Sequence, residues 1–465
     1  MVKSDQAELP DIFHLNPPIL ICPKNPTPKH PLYLSNLDDQ KFLRFTIKYV
    51  YLYRKSVSSE MLKHSLSNVL VEYYPFAGRL RSNPDDNEKL EIDCNGKGVV
   101  FAEAFMDMTA DNFLSLSSHP NRSWRNLLYR VESSTFLDVP PLVVQVTNLR
   151  CGGMILCTAF NHCLCDGIGT SQFLHAWAHL ITSTKPTSDL PITPFHTRHV
   201  LKSRSPPPSK QHTFLPQFTK TATSKLDDDH DHDDDDDGDG LLDLNQFLQS
   251  QPIVPVSLTF THSHILHLKR LCFPSLKCTT FDIMAAHTWH SWVKALGLSS
   301  VLNTKLLFSV NIRKRIEPSL PEGYYGNGFI LGCAEVNVKE FINSGSNYLY
   351  SGVKLVQQAK TSVTDSCVRS VVDLLEDRTV KPDLSTSLVI SQWSKLGLED
   401  LDLGQGKPLQ MGPLTSDIYC LFLPVVGEID AVRILISLPE AVADKFKYYM
   451  MNMDYFDRSI DGLVS

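Results

Sequence analysis

Apolar positions along this chain switch between a helical and an alternating period. After Ser59, the residues Leu62, Leu66, Val69, Leu70 and Tyr73 fall on one helical stripe, and Pro75 stops it. Ile19-Leu20-Ile21 predicts a short edge strand, and Leu142 to Thr147 and Met154 to Phe160 are apolar runs of strand length. Lys89 to Asp93 and Val99 to Glu103 alternate around Asn95-Gly96-Lys97-Gly98, which predicts a hairpin. In the second half, strands are predicted at Val254 to Phe260, Leu306 to Asn311, Leu388 to Ile390, Ile418 to Val426 and Ala431 to Leu438. Thr279 and Thr280 are placed to cap a helix with the stripe Phe281, Ala285, Trp289, Trp292 and Leu296, and Gly297 is placed to end it.

Between the halves the pattern breaks. Residues 184–250 contain three consecutive prolines, Pro206 to Pro208, and then an Asp/His/Gly run with nothing to bury. They read as a crossover whose acidic stretch, 227–239, is disordered. Strands and helices mix on both sides of it. That order predicts an α+β protein with two similar lobes, 1–183 and 251–465.

One stretch organises the first lobe. Asn161-His162-Cys163-Leu164-Cys165-Asp166-Gly167-Ile168-Gly169-Thr170 lies between the strand ending at Phe160 and a helical stripe of Phe173, Leu174, Trp177, Leu180 and Ile181. Thr170 and Ser171 are placed to cap that helix. His162 therefore sits at a strand end in a glycine-bearing turn, where an imidazole can face a cleft. Its neutral form, with an ordinary pKa of about 6.5, is a competent base toward an alcohol. Asp166 is positioned to lock the turn or pair with an arginine. The spacing alone does not decide it: His-x-x-x-Asp recurs at His230 and His232 inside the acidic run, and a lone His is as readily a structural residue.

Composition narrows the classes. The chain has 465 residues, 42% hydrophobic and 20% charged, enough for two or three domains of a soluble protein. Its formal net charge is -7, but ten aspartates fall in the acidic run, leaving the remainder at +3. A mildly basic body suits a small anionic ligand and is too weak for nucleic acid. Eleven scattered Cys without a Cys-x-x-Cys pair point to a reduced compartment and neither a zinc nor a redox motif. No metal is expected, since His230, His232 and their aspartates lie in a run that cannot fix a coordination geometry. No signal core, membrane span or lipidation tail is read, so a cytoplasmic protein without a membrane segment is expected.

Two further motifs carry charge or glycine. Arg313-Lys314-Arg315 follows a strand and is either a solvated edge or a landing for phosphates. Asp402-Leu403-Gly404-Gln405-Gly406-Lys407-Pro408 is a glycine turn opened by an acid, and its Asp is expected to pair with Arg313 or Arg315. There is no Gly-x-Ser-x-Gly elbow, HExxH, Walker A or dinucleotide fingerprint.

Taken in order, Tyr74-Pro75-Phe76-Ala77-Gly78-Arg79, His162 to Gly167, Asn311 to Arg315 with Tyr325-Gly326-Asn327, and Asp402 to Pro408 resemble the BAHD family of plant acyl-CoA-dependent acyltransferases. The resemblance spans nearly the whole chain. It implies two chloramphenicol-acetyltransferase-like lobes, mixed sheets flanked by helices, with an active-site tunnel between them. It implies His162 as general base and Asp166, Gly167, Asp402, Gly404 and Gly406 as structural residues at the site. Arg313, Arg315, Lys407 and Thr280 are the CoA-binding candidates. Acyl-CoA would be a co-substrate, with no other cofactor, and a small alcohol the acceptor of an aliphatic or aromatic acyl group, on a monomer. The last motif departs from the family's Asp-Phe-Gly-Trp-Gly-Lys-Pro: Leu403 replaces Phe and Gln405 replaces Trp. A catalytically silent relative serving very-long-chain fatty-acyl elongation is the alternative.

Overall fold

A computed structural model describes residues 8–116, 119–133, 135–183, 189–205, 215–220, 251–272, 276–344, 347–415 and 419–452. The acidic run 227–239 lies outside these. Two mixed sheets dominate the described residues. The first has seven strands, in the order Ile12–His14, Val99–Met106, Leu142–Leu149, Met154–Asn161, Thr46–Tyr53 and Gln410–Pro413, with Ile19–Ile21 also on Val99–Met106. The second has six, in the order Ile253–Phe260, Glu428–Pro439, Cys420–Val425, Ser387–Gln392, Asn303–Asn311 and Phe329–Asn337. Most neighbours are antiparallel, but Val99–Met106 with Leu142–Leu149 and Ser387–Gln392 with both its neighbours are parallel. The α+β expectation holds, and no described helix is long and apolar enough to cross a membrane.

Each sheet is covered by a helix that the apolar pattern anticipates. Ser59–Glu72 and Gly167–Thr182 pack together on the first sheet, and buried Trp177 donates its indole N–H to Ser65 Oγ at 2.9 Å. Thr280–Leu296 backs the second. Thr279 caps it through a reciprocal bond with Asp282, and Gly297 closes it in the left-handed region at φ 63°. This helix is buried nearly all round, because Tyr348–Thr361 and Glu440–Met451 cover the faces that a single stripe would leave to solvent. Those two helices, with His262–Cys272 and Asp365–Leu374, form where the pattern analysis places no element.

Three expectations fail for identifiable reasons. Lys89 to Glu103 is not a hairpin. Asp86–Asp93 pairs with Arg79–Asn83 and Pro31–Tyr33 in a small separate sheet, while Val99–Met106 joins the large one. The glycine loop passes the chain between sheets instead of reversing it within one. The helix after His162 starts at Gly167, not at Thr170: Asp166 is the cap, its carboxylate accepting from Gly169 N–H at 2.9 Å. A carboxylate already fixed at that corner reaches the first free amides before a hydroxyl one turn later can. Finally, the sheets do not follow a division at residue 250, because Gln410–Pro413 returns to pair with Thr46–Tyr53 of the first sheet.

Candidate active site

The strand Met154–Asn161 delivers His162 to the seam between the lobes. Its backbone is fixed on both sides: the His162 N–H donates to Phe45 O at 2.9 Å, and Asn327 Nδ2 donates to His162 O at 2.7 Å. Asn327 is held in turn, since its N–H and Nδ2 both donate to Asp38 Oδ1, at 2.8 and 3.0 Å. The imidazole lies against the edge of Phe45 (centroids 5.3 Å apart) and near Phe329 (6.1 Å). Its Nδ1 is buried and meets no hydrogen-bond partner among the described residues. Burial pushes the imidazole below its ordinary pKa, with hydrogen bonding from its own backbone and from Asn327 and the charges of Asp166 and Asp38 pulling the other way. His162 is thus a neutral base at neutral pH.

Asp166 does not touch that ring. It accepts a two-pronged contact from Arg313, Nη1 to Oδ2 at 2.8 Å and Nη2 to Oδ1 at 2.9 Å, and also accepts from Gly328 N–H at 3.0 Å. Burial alone would raise its carboxyl, but the guanidinium together with the Gly169 and Gly328 amides outweighs burial and holds it below the usual carboxylate range. Arg313 also donates to the carbonyls of Tyr324 and Gly326. The pair therefore clasps the His162 turn to the opposite lobe. Space there is tight: a Cβ on Gly169 would sit 1.9 Å from Tyr325 O, and one on Gly167 would meet the Leu396 side chain at 2.6 Å. Gly169 is there for close approach to backbone, while at Gly167 the flexible tip of Leu396 can shift aside.

This geometry corrects two assignments. Arg313 is not available to a phosphate, because its fork is committed to Asp166. Nor is it, or Arg315, the partner of Asp402: Arg315 donates to the carbonyls of Lys360 and Val363, at 2.6 and 3.1 Å. Asp402 is exposed and accepts from its own turn, from Gly404 N–H at 2.7 Å and Gly406 N–H at 2.9 Å. Those amides are aimed back at it because both glycines are left-handed, at φ 89° and 98°. Leu403 is buried in the first lobe's core, and Gln405 is exposed. We expect Asp402→Ala to cost less than about 1.5 kcal/mol, the scale of exposed turn hydrogen bonds and far below the loss of a buried ion pair. Thermal melts check this, and a collapse of the fold would contradict the self-contained turn.

Four cavities adjoin in series through the seam. A wide one of about 1050 Å³ has Thr280, Arg315, Lys360, Lys395 and Lys407 in its wall. It shares Ser309, Asn311, Gln392 and Lys395 with one of about 310 Å³ that reaches His162. His162, Ile47, Ser391, Trp393 and Tyr419 also wall a narrow neck of about 90 Å³. The neck shares Thr46, Lys48 and Thr415 with a basin of about 1280 Å³ on the far side. Thus Thr280, Arg315 and Lys407 gather at one mouth, and His162 lies midway. Asp402, Gly404 and Gly406 stand outside these cavities.

Two residues that build the site, Arg198 and Asp38, belong to none of the motifs above. Arg198 is wholly buried, donates to Leu164 O at 2.9 Å, lies 4.0 Å from Asp38, and stacks on Tyr324 and Tyr325. Asp38 and Asn327 complete the knot beneath the His162 turn. The only sequence signal is a pair of acids, Asp38-Asp39, beside an otherwise apolar Leu34 and Leu37, which are fully buried.

A family profile described as the Transferase family matches residues 18–453. The chain belongs to that family, the BAHD acyltransferases. Among curated relatives of this BAHD chain is the fatty alcohol:caffeoyl-CoA acyltransferase of Arabidopsis thaliana, 32% identical over 443 residues, covering 93% of this chain and 96% of that one. The benzyl alcohol O-benzoyltransferase of Petunia hybrida is 31% identical over 485 residues, covering 99% and 98%. The crystal structure of vinorine synthase superimposes with a TM-score of 0.68 at 20% identity, covering 95% of this chain and 98% of that one, which establishes a shared fold. The two curated relatives differ in both acyl group and alcohol at nearly equal identity, so identity alone does not choose this BAHD protein's substrates.

Proposed function

We propose that this chain transfers an acyl group from acyl-CoA to a small alcohol, with His162 as general base. The observation that supports it is a neutral imidazole lining the two inner cavities of a series that adjoin through shared wall residues. Acyl-CoA takes the wide mouth, where Arg315, Lys407 and Thr280 face the pantetheine and phosphates, and the alcohol comes through the neck. His162 removes the hydroxyl proton as the oxygen attacks the thioester carbonyl. The tetrahedral oxyanion collapses, the C–S bond breaks, and the thiolate takes the proton from the imidazolium. Ester and free CoA leave, and no covalent enzyme intermediate or further cofactor is required.

Leu403 and Gln405 do not disturb this reading, since their turn stands apart from His162. A silent accessory role gains no support from an imidazole that is neutral and lines the cavities. The protein works as a monomer in a reducing compartment such as the cytoplasm, in keeping with eleven cysteines that are all unpaired.

The test is a matrix of acyl-CoAs and alcohols, read by mass spectrometry for ester and by thiol release for CoA. A folded protein that forms no ester with any pair would remove the proposal. The same assay has an expected pH dependence. Because burial lowers the His162 pKa, the acid limb of kcat/KM should lie below about pH 6.5, where an unperturbed imidazole would put it. A limb at or above that value would mean that the base is solvated or is another group.

A further inference from the structure

Near its start the chain shows apolar side chains that the core does not use. Phe13, Leu15, Ile19 and Leu20 are 58%, 52%, 45% and 53% exposed. Single exposed apolar residues are ordinary, but these stand together. Two short strands fix their place, Ile12–His14 and Ile19–Ile21, both laid along Val99–Met106 at the edge of the first sheet. Leu20 is opposite Val100, Val100 opposite Val143, and Val143 opposite Ala159. Residues paired across strands share a face. Leu20 therefore lies on the face that Val143 and Ala159 present to the basin beyond the neck. Phe13 and His14 stand in the wall of that basin, and His14 meets Tyr129 edge-on, with ring centroids 5.7 Å apart. The same rim is basic: Arg122, Arg125 and Arg130 are exposed in the basin's wall, which also holds Lys48, against the carboxylates of Asp11 and Glu132.

We propose that this face docks the protein on an anionic bilayer surface, with Phe13, Leu15 and Leu20 entering the lipid interface and Arg122 and Arg130 meeting the headgroups. Apolar side chains beside exposed arginines make an interfacial anchor, and the cytoplasmic leaflet supplies the anionic lipid. A second copy of the chain fits less well. Two such faces would set arginines against arginines. Pro17 and Pro18 also lie between the two edge strands, so the edge offers no continuous ladder to another chain. Docking turns the basin toward the bilayer. The inference takes from the acyl-transfer reading only that this basin is the acceptor's mouth, and the contact itself stands or falls without it.

Co-sedimentation of the full chain with extruded vesicles tests this, using phosphatidylcholine with phosphatidylserine against phosphatidylcholine alone. The protein should partition onto the mixed vesicles about 10- to 100-fold better than onto the neutral ones, at about fivefold for each basic residue at the surface. Raising the salt should weaken the contact. Arg122→Ser with Arg130→Ser should lower the partition by about 10- to 30-fold. Phe13→Ser with Leu20→Ser should remove most of it, with melting temperatures confirming that both double variants fold. Val301→Ser should change nothing: that side chain is 78% exposed, but it stands in the turn before Asn303–Asn311 of the other sheet. No partition onto either vesicle overturns the proposal and leaves acyl transfer standing. So does partition that either double variant keeps in full, or that is equal on neutral and mixed vesicles. Sedimentation velocity without lipid separates the rival occupant. A dimer that Phe13→Ser with Leu20→Ser dissociates, in a protein that does not bind vesicles, gives the patch to a second copy and overturns the docking.

Discussion

His162→Ala should lower kcat by about 10²- to 10⁴-fold while the protein folds and binds acyl-CoA as before. The size follows from what the residue contributes. The ring's Nδ1 has no hydrogen-bond partner among the described residues, so removing the ring breaks no bond at that nitrogen. What anchors the turn is its backbone, through Phe45 O and Asn327 Nδ2, and alanine keeps both contacts. The loss should therefore fall on turnover and spare the fold. Single-turnover ester formation at saturating CoA and alcohol, beside a thermal melt, separates the two effects. A variant that turns over at near wild-type rate would show that another group takes the proton.

The second large effect is expected where nothing reacts. Arg313→Met strands the buried Asp166 carboxylate, and loss of one partner of a buried pair costs about 3–5 kcal/mol. Asp166 is 7% and Arg313 14% exposed at the side chain, so solvent does little to compensate. Asp166→Asn should be gentler, because an amide oxygen still accepts from Gly169 and Gly328, although the fork to Arg313 is weakened. The double change, Asp166→Asn with Arg313→Met, should be less destabilising than the sum of the single ones. Denaturant melts of the three variants measure this coupling. Strict additivity would mean that the clasp contributes nothing as a pair. The acid limb of the pH–rate profile of folded Asp166→Asn should move downward if it moves at all, since the Asp166 charge that is lost favours the imidazolium, and an upward move would contradict this.

The chain's local chemistry made part of this site readable. Strand, glycine turn and helix around His162 are set by neighbours within twenty residues, and so is the stripe from Phe281 to Leu296. The partners of those elements are another matter. Asp38 meets Asn327 across 289 positions and Arg198 meets Leu164 across 34, and no periodicity marks either meeting. Asp402 failed the other way: its partner lay two and four residues ahead, at glycine amides, when a distant arginine was expected. The false hairpin at Lys89 to Glu103 has the same root. Alternation and a glycine loop describe one strand, a turn and another strand, but they do not say that both belong to one sheet.

The returning strand Gln410–Pro413 has a consequence for how this molecule can be divided. It runs along Thr46–Tyr53, matching Met411 with Tyr51, and the Tyr53 hydroxyl also donates to Leu401 O at 2.9 Å. Severing the chain in the 184–250 crossover would therefore not release two self-sufficient modules. The first piece would carry a central strand stripped to a bare edge, an invitation to pair with its own copies. The second would carry an orphaned ribbon with Leu398, Leu401, Leu403 and Met411 turned from core into surface. Two lobes that look like repeats are, in construction, laced together, and the lace starts just after the glycine turn opened by Asp402.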